Sequence, residues 1–287
     1  MQSPRRIEIA ALTALLSLAG LRIIDLRSPR SFRHGHLPGS GNLPHRRLPS
    51  SLFLLPPRRT PILLVAATGA TALAGAQFLA DRGYEESFWL DGAVSRLSAA
   101  KVPGPASAPL WEPSPFLREA LAALPDCGAA VDLACGSGRN TVFLARHGWS
   151  ALGIDLLPDA IAQARRLARE AGMDATRVRF RVGDLTDPQV IGRILPPGRY
   201  DAILCFRYLD RRIWPALRAA IRPGGFVVMQ TFLLEQARVH GKPRRPEFLL
   251  RPGELSEVFS DWEILRSHEG PDADQNHLAG IVARRRS

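Results

Sequence analysis

Residues 131 to 141, VDLACGSGRNT, decide the fold. Val131, Leu133 and Ala134 supply an apolar strand, Gly136 and Gly138 let the backbone turn tightly and approach a ligand, and Thr141, Val142, Phe143 and Leu144 open a helical pattern. A strand that runs through a glycine turn into a helix start is a nucleotide-cofactor loop. The next apolar strand, in WSALGIDL, ends at Asp155, about 20 residues past the turn, where a carboxylate can accept hydrogen bonds from ribose hydroxyls. VRFRVGDL ends a third strand at Asp184, and YDAILCF ends a fourth at Phe206. After a helix around Trp214 to Ile221, the turn RPGG leads into a fifth strand, FVVMQT. Apolar strands alternating with helical patterns predict a doubly wound α/β sheet whose ligand crevice lies at the carboxyl ends of its strands. A nicotinamide fingerprint would want a third glycine at position 141, where Thr stands.

In this order of motifs, the region from about residue 111 to 287 resembles a class I S-adenosylmethionine-dependent methyltransferase, a Rossmann-like fold. That family's first motif, acid-x-Gly-x-Gly-x-Gly, stands here as Asp132-Leu-Ala134-Cys135-Gly136-Ser-Gly138. Ala in place of the first Gly leads us to expect a negative φ at 134. The resemblance implies that S-adenosylmethionine is the cofactor and that its methionine part passes the Gly136 to Gly138 backbone. It implies further that Asp155 and Leu156 meet the ribose side, that Asp184 and Leu185 lie near the adenine, and that Cys205 and Phe206 lie beside the methionine or substrate pocket. The CGSGRNT turn and the later KPRRPEFLLRPGEL segment look most like the tellurite-resistance methyltransferases.

The first third of the chain carries a second pattern. LRIIDLR followed by RSFRHGHLPGSGNLP resembles the rhodanese family at Asp25, Arg27, Ser28, Gly35, His36, Pro38, Gly39, Ser40, Leu43 and Pro44. The likeness continues through the strand PILLVA, a helix over residues 70 to 82 and FWLDGAVSRL, implying a small α/β domain. An active member holds a nucleophilic Cys three residues before a Gly, and usually an Arg two residues after it. Aligned on Gly69, those positions are Ala66 and Thr71. Sulfur transfer needs a thiolate, and a methyl group cannot replace one, so a catalytically inactive domain is expected. What remains for it is ligand binding, a protein partner, or packing alone.

The expected organisation is therefore residues 1–100 rhodanese-like, residues 101–115 a linker rich in Pro, Ala and Ser, and residues 116–287 the methyltransferase domain. Trp111 and Phe116 are read as anchors of the linker on the second domain.

The net charge of +11 is almost all arginine, with lysine only at 101 and 242. Through residue 110 there are 13 basic and 6 acidic residues, and beyond it 25 and 21, so most of the excess lies outside the methyltransferase region. The Arg pairs at 5 and 6, 46 and 47, and 58 and 59 lack interleaved aromatics for base stacking, so nucleic acid is not the expected partner. Cys127, Cys135 and Cys205 have no metal-ligand or disulfide spacing, which predicts no metal site and a reducing, cytoplasmic setting. ALTALLSLAG is too short to span a membrane.

Residues 231 to 255, after the fifth strand, gather Arg238, His240, Lys242, Arg244, Arg245 and Arg251. A basic lid there would bind an anionic small-molecule acceptor, with Arg244 in the lid and His240 as proton acceptor, while Tyr208 stands after the fourth strand and His268 near the penultimate one. A soft nucleophile such as a thiolate or another chalcogen needs no base once ionised, whereas oxygen or nitrogen often does. The expected activity is methyl transfer to a small molecule, with thiols and other chalcogens first among acceptors. The alternatives are a non-catalytic cofactor sensor and an RNA methyltransferase.

Overall fold

In the computed structural model, residues 3–97, 101–106 and 109–286 are described. The expected domain end at residue 100, the terminal residue 287 and residues 107 and 108 of the expected linker lie outside them. The chain divides into two units, Met1–Glu112 and Pro113–Ser287.

The first unit is built on five strands, β1 (Arg5–Ile7), β2 (Arg22–Asp25), β3 (Ser40–Asn42), β4 (Ile62–Ala66) and β5 (Ser87–Ala93), in the order β1-β5-β4-β2-β3. All their pairings are parallel. Every residue of β4, ILLVA, is buried, as a central parallel strand covered on both faces requires. At the end of β2 the carboxylate of Asp25, fully buried, accepts the Arg27 amide at 3.0 Å and its Nη2 at 2.6 Å, and Nη2 also donates to the Gly35 carbonyl at 2.8 Å. The Asp-x-Arg pattern is therefore a buried ion pair that sets the turn after β2. Of the segment expected to be a linker, Val102 is bonded to this unit, as is Glu112 just before its boundary. Val102 and His36 exchange backbone hydrogen bonds, and Glu112 accepts Arg22 Nη2 at 2.5 Å. The boundary after Glu112 leaves Phe116 alone of the two expected anchors in the second unit.

The second unit holds β6 (Ala129–Leu133), β7 (Ser150–Asp155), β8 (Val178–Val182), β9 (Tyr200–Phe206), β10 (Ile221–Phe232), β11 (Glu263–Pro271) and β12 (His277–Arg284). They form one sheet in the order β11-β12-β10-β9-β6-β7-β8. The strands from β8 across to β10 are parallel, and β12 runs antiparallel between β10 and β11. Two strands thus join the five expected from the sequence. The RPGG segment also differs from expectation: it is a bulge inside β10, where Ile221 pairs with Tyr200 but Phe226 already pairs with Ala202. Gly224, at φ +77, makes this excursion while its amide bonds the Arg285 carbonyl.

Strand parity divides the core of this unit into two. Val131, Leu133, Ile203, Cys205, Val227 and Met229 pack on one face with Leu217, Leu255 and Phe259. Ala130, Ala202, Leu204, Phe226 and Val228 pack on the other with Phe116, Leu144 and Trp149. Both faces are covered, which is why these strands read as continuous apolar runs. The helix Pro158–Glu170 shows how the covering elements are specified: Pro stands in its first turn with Asp159, Arg169 in its last, and Ile161, Ala164, Leu167 and Ala168 are buried. The strand order reverses between β6 and β9, placing the switch-point crevice above their carboxyl ends. Among the described residues no helix is long and apolar enough to cross a membrane.

Replacing Arg27 with Met strands the buried Asp25 carboxylate. The expected loss is about 3 kcal/mol in the unfolding free energy of the first unit, read from its denaturant midpoint; a loss below ~1 kcal/mol would mean that the pair does not hold the turn.

Candidate active site

The turn after β6 is held by three residues in the left-handed region, Ala134 (φ 56), Gly136 (φ 54) and Gly138 (φ 78). The expectation of a negative φ at Ala134 is thus corrected. The residue keeps the glycine-like conformation at a cost of roughly 1 kcal/mol, and the surrounding hydrogen bonds impose it. The Cys135 amide donates to the Ile154 carbonyl at 2.8 Å, the Gly138 amide to the Cys135 carbonyl at 2.9 Å, and the Gly136 amide to Asp155 Oδ2 at 2.8 Å. At Gly138 a Cβ would stand 2.7 Å from Ala164 Cβ and 2.8 Å from the Phe180 ring, so only glycine fits between the turn and the elements behind it. At Gly136 a Cβ would meet nothing within 4 Å, which leaves the outer side of the turn open.

Five acidic and sulfur-bearing side chains belong to this turn and the strand ends beside it. Asp155 uses one oxygen for Gly136 and the other for the Leu157 amide at 3.0 Å, and keeps acceptor capacity on both. Beside it Leu156 is 57 % exposed, an apolar surface next to a carboxylate. Asp184 Oδ1 accepts the Thr186 hydroxyl at 2.7 Å and amide at 2.8 Å, bonds that hold its carboxyl below the usual range, while Leu185 is buried. Asp132 is buried under the turn and accepts the Thr141 hydroxyl at 2.6 Å. Burial pushes its pKa up to about 7; the Thr141 bonds oppose the rise and the charge of Asp155 adds to it. Cys135 and Cys205 are pushed far up by burial and then by Asp132, so both thiols stay neutral. Phe206, buried, closes β9.

Past Phe206 the chain turns through Arg207, a non-glycine residue at φ 58, whose amide donates to the Gln230 carbonyl at 2.8 Å. Tyr208 follows, on the wall of a cavity of about 580 Å³ that Phe232, His240, Lys242 and Asn276 also line. The Tyr208 hydroxyl is buried and has no hydrogen-bond partner. Burial, then the charge of Asp210, push its pKa up to about 12, so it is neutral and a donor. His240 Nε2 lies 2.6 Å from the Gln275 carbonyl, which can only accept, so this nitrogen carries the proton. Arg244 does not line the cavity; its Nε donates to the Gly241 carbonyl at 3.4 Å. His268 is exposed on β11.

The basic lid expected from the sequence is largely neutralised. Arg238 pairs with Glu235 at 3.2 Å, Arg245 with Glu247 at 3.9 Å, and Arg251 with Glu257 at 3.3 Å. A residue that the sequence did not single out organises this segment. Arg211 Nε bonds Glu254 Oε1 at 2.5 Å and Nη2 bonds Oε2 at 2.8 Å, while the same guanidinium donates to the Glu247 and Leu249 carbonyls. Burial would raise the Glu254 carboxyl, but Arg211 and Arg251 more than offset it and hold it below the ordinary value. Arg211 and Glu254 are 43 residues apart, so no local pattern announces them.

Residues 130–225 match the family described as a methyltransferase domain, and residues 8–100 match the rhodanese-like domain. A thiosulfate sulfurtransferase, GlpE, of Tolumonas auensis is 32 % identical over 30 % of this chain and 81 % of its own length. The ubiquinone biosynthesis O-methyltransferase of Methylococcus capsulatus is 35 % identical over 36 % of this chain, which spans only 42 % of that protein. An uncharacterized protein of Schizosaccharomyces pombe is 22 % identical across 84 % of this chain and 85 % of its own length, so the match extends over both units.

Asp132 supplies a pH test. Between about pH 4 and 7 the folded protein holds a proton on Asp132 that the unfolded chain has released, so this residue's contribution to stability falls as pH rises through that window. Asp132→Asn removes the dependence. Relative to wild type, the variant is expected to gain ~3 kcal/mol between pH 5 and pH 8 by denaturant titration, and an unchanged difference would show that Asp132 is already ionised in the folded state at pH 5.

Proposed function

The chain belongs to the rhodanese-like family through residues 8–100 and carries an S-adenosylmethionine-dependent methyltransferase domain matched at residues 130–225, and we propose that it methylates a small-molecule chalcogen nucleophile, a thiol first among them. The observation that carries this reading is the turn Ala134 to Gly138. It is bare on its outer side, locked to Asp155, and flanked by the exposed Leu156. These residues fit the cofactor. Asp155 and Leu156 would take the ribose side, Asp184 and Leu185 the adenine side, and the segment from Asp132 through Ala134, Cys135, Gly136 and Gly138 the methionine end, with Cys205 and Phe206 behind it.

Bound S-adenosylmethionine supplies an electrophilic methyl on a sulfonium: the acceptor's lone pair forms the new bond to carbon, the carbon–sulfur bond breaks, and a neutral thioether leaves. The protein's task is alignment and exclusion of water. Proton acceptors are scarce where the acceptor would sit. His240 Nε2 donates to Gln275, which leaves Nδ1 as the one imidazole lone pair on this wall, and Tyr208 keeps its proton with a pKa of about 12. This arrangement suits a nucleophile that ionises readily, as a thiol does with a pKa of about 8.5, better than an alcohol. Tyr208 and His240 then act by orienting the acceptor, and Arg244 stands further out as a lid residue. A module whose relatives include sulfurtransferases, fused in front, agrees in theme with sulfur chemistry.

Calorimetric titration of S-adenosylmethionine should show binding to the wild type, weakened at least about tenfold by Asp155→Ala, the equivalent of ~1.4 kcal/mol of hydrogen bonding. Binding to neither protein, or no turnover of any thiol by a cofactor-binding protein, would defeat the proposal at its first or second step respectively.

The first unit calls for a separate assay. Ala66 ends β4 with a buried methyl, and Thr68, accepting the Thr71 amide at 3.2 Å, caps the helix Gly69–Ala80 that follows. No sulfur atom is available at the family's nucleophile position. Thiosulfate-to-cyanide transfer is expected to be absent from the full chain, and turnover above the protein-free rate would overturn the inactive reading.

A further inference from the structure

At the end of the second sheet opposite the cofactor turn lies a recess of about 190 Å³, lined by Arg179, Arg181, Arg193 and Arg199 together with Ser150 and Tyr200, the first residues of β7 and β9. Three elements bring the four arginines together. Arg179 and Arg181 are alternate residues of β8, so strand parity turns both to the face that Leu152 and Ile154, their partners on β7, also share. Arg193 stands in the last turn of the helix Pro188–Ile194, and Arg199 directly precedes β9. The buried Tyr200 fastens these two, since its hydroxyl donates to the Ile194 carbonyl at 2.7 Å and ties the helix end to the start of β9. Burial raises the Tyr200 pKa, and the charges of Arg199, Arg181 and Arg179 all oppose that rise, so the three guanidinium groups act on one point.

Elsewhere in this unit arginines meet carboxylates, as Arg211 meets Glu254, Arg218 meets Asp261 and Arg266 meets Glu119. No carboxylate lines the recess, and none of its four arginines has an ion pair or a side-chain hydrogen bond among the described residues. Asp201, one residue past Tyr200, is taken by Arg222 at 3.0 Å and by the Ala129 amide at 2.7 Å. The four like charges repel one another, and because the side chains are exposed, water and salt alone screen that repulsion.

We propose that this recess binds a condensed phosphate, two or more linked phosphate groups on a compact ligand, through Arg179, Arg181, Arg193 and Arg199. Guanidinium groups present paired donors that match phosphate oxygens, and several around one hollow favour a ligand with several negative charges. The recess is smaller than the roughly 300–1,000 Å³ that encloses a drug-sized molecule, so it takes a charged headgroup rather than a large apolar body. The aromatic residue in its lining, Tyr200, is buried with its hydroxyl engaged and offers no ring for a nucleobase to stack on, which disfavours a nucleic-acid strand. The site does not depend on the methyl-transfer reading, and its place at the amino ends of the strands lets it fill while the cofactor turn is occupied.

Inorganic tripolyphosphate is the probe, titrated calorimetrically into the full chain without divalent metal at ~0.15 M ionic strength, beside orthophosphate. Tripolyphosphate is expected to bind at least about tenfold more tightly than orthophosphate, and equally well with S-adenosylhomocysteine present. Arg181→Gln combined with Arg193→Gln should weaken it at least about tenfold. Arg146→Gln combined with Arg169→Gln removes the same charge from exposed helix positions outside the recess and should leave the affinity within about threefold. All four substituted residues are exposed, so their replacement does not threaten the fold. ATP carries the same phosphate chain on a nucleoside; its binding at the same arginines supports the proposal, and its affinity relative to tripolyphosphate tells a nucleotide from free polyphosphate. No binding of tripolyphosphate, equal weakening by the two double variants, or displacement by S-adenosylhomocysteine would each overturn the proposal. So would a single-stranded RNA oligonucleotide that binds more tightly than tripolyphosphate and is lost with Arg181 and Arg193, since the recess would then belong to a nucleic-acid surface.

Discussion

The bond from the Gly136 amide to the Asp155 carboxylate is the constraint on which the site depends. It ties the turn after β6 to the end of β7, two neighbouring parallel strands, and holds the backbone in a run of left-handed residues that includes an alanine. Relaxing Ala134 to an ordinary conformation would swing the Cys135 and Gly136 amides away from Ile154 and Asp155. The roughly 1 kcal/mol of strain is outweighed by the hydrogen bonds it makes possible. The same geometry leaves the face above Gly136 bare, so the feature that stabilises the turn also keeps it open to a ligand.

Around that turn the protein separates charge states by burial. Asp132, beneath the turn and away from water, sits near neutrality in its titration, while Asp184, at the surface and held by Thr186, stays firmly ionised. Cys135 and Cys205, buried next to Asp132, are kept as thiols. Both sulfurs are neutral, and the bond from His240 Nε2 to the Gln275 carbonyl leaves Nδ1 as that imidazole's lone-pair nitrogen. The wall above it, from Arg207 to the 246–254 segment, is drawn together by Arg211, whose four hydrogen bonds to Glu247, Leu249 and Glu254 give the connection after β10 a defined path.

Most of the second unit's central sheet was legible because parallel strands covered on both faces are continuous apolar runs, and β6, β7, β9 and β10 read that way. β11 was less legible because it is an exposed edge strand, EILRSHEGP, whose composition resembles a loop. RPGG reads locally as a turn because Pro and Gly are turn residues, and only pairing on both sides of it makes it a bulge. Spacing singled out Asp155 and the glycines of the turn, and the structure joins Asp155 to Gly136 by a hydrogen bond. Arg207 carried no local signal, and for the lid arginines 238, 245 and 251 it is acidic partners two to six residues away that decide whether their charge is available.

By itself the sequence determined the two α/β units, the order of the cofactor motifs and the absence of a thiol at position 66, since each depends on residue type and short-range spacing. Tertiary structure alone decided the backbone at Ala134, the protonation of Asp132, the clamp between Arg211 and Glu254, and the meeting of Tyr208 with Lys242 at one cavity. These properties arise from desolvation and from contacts between distant segments. Both are set by what surrounds a residue in space, and a linear pattern does not carry that information.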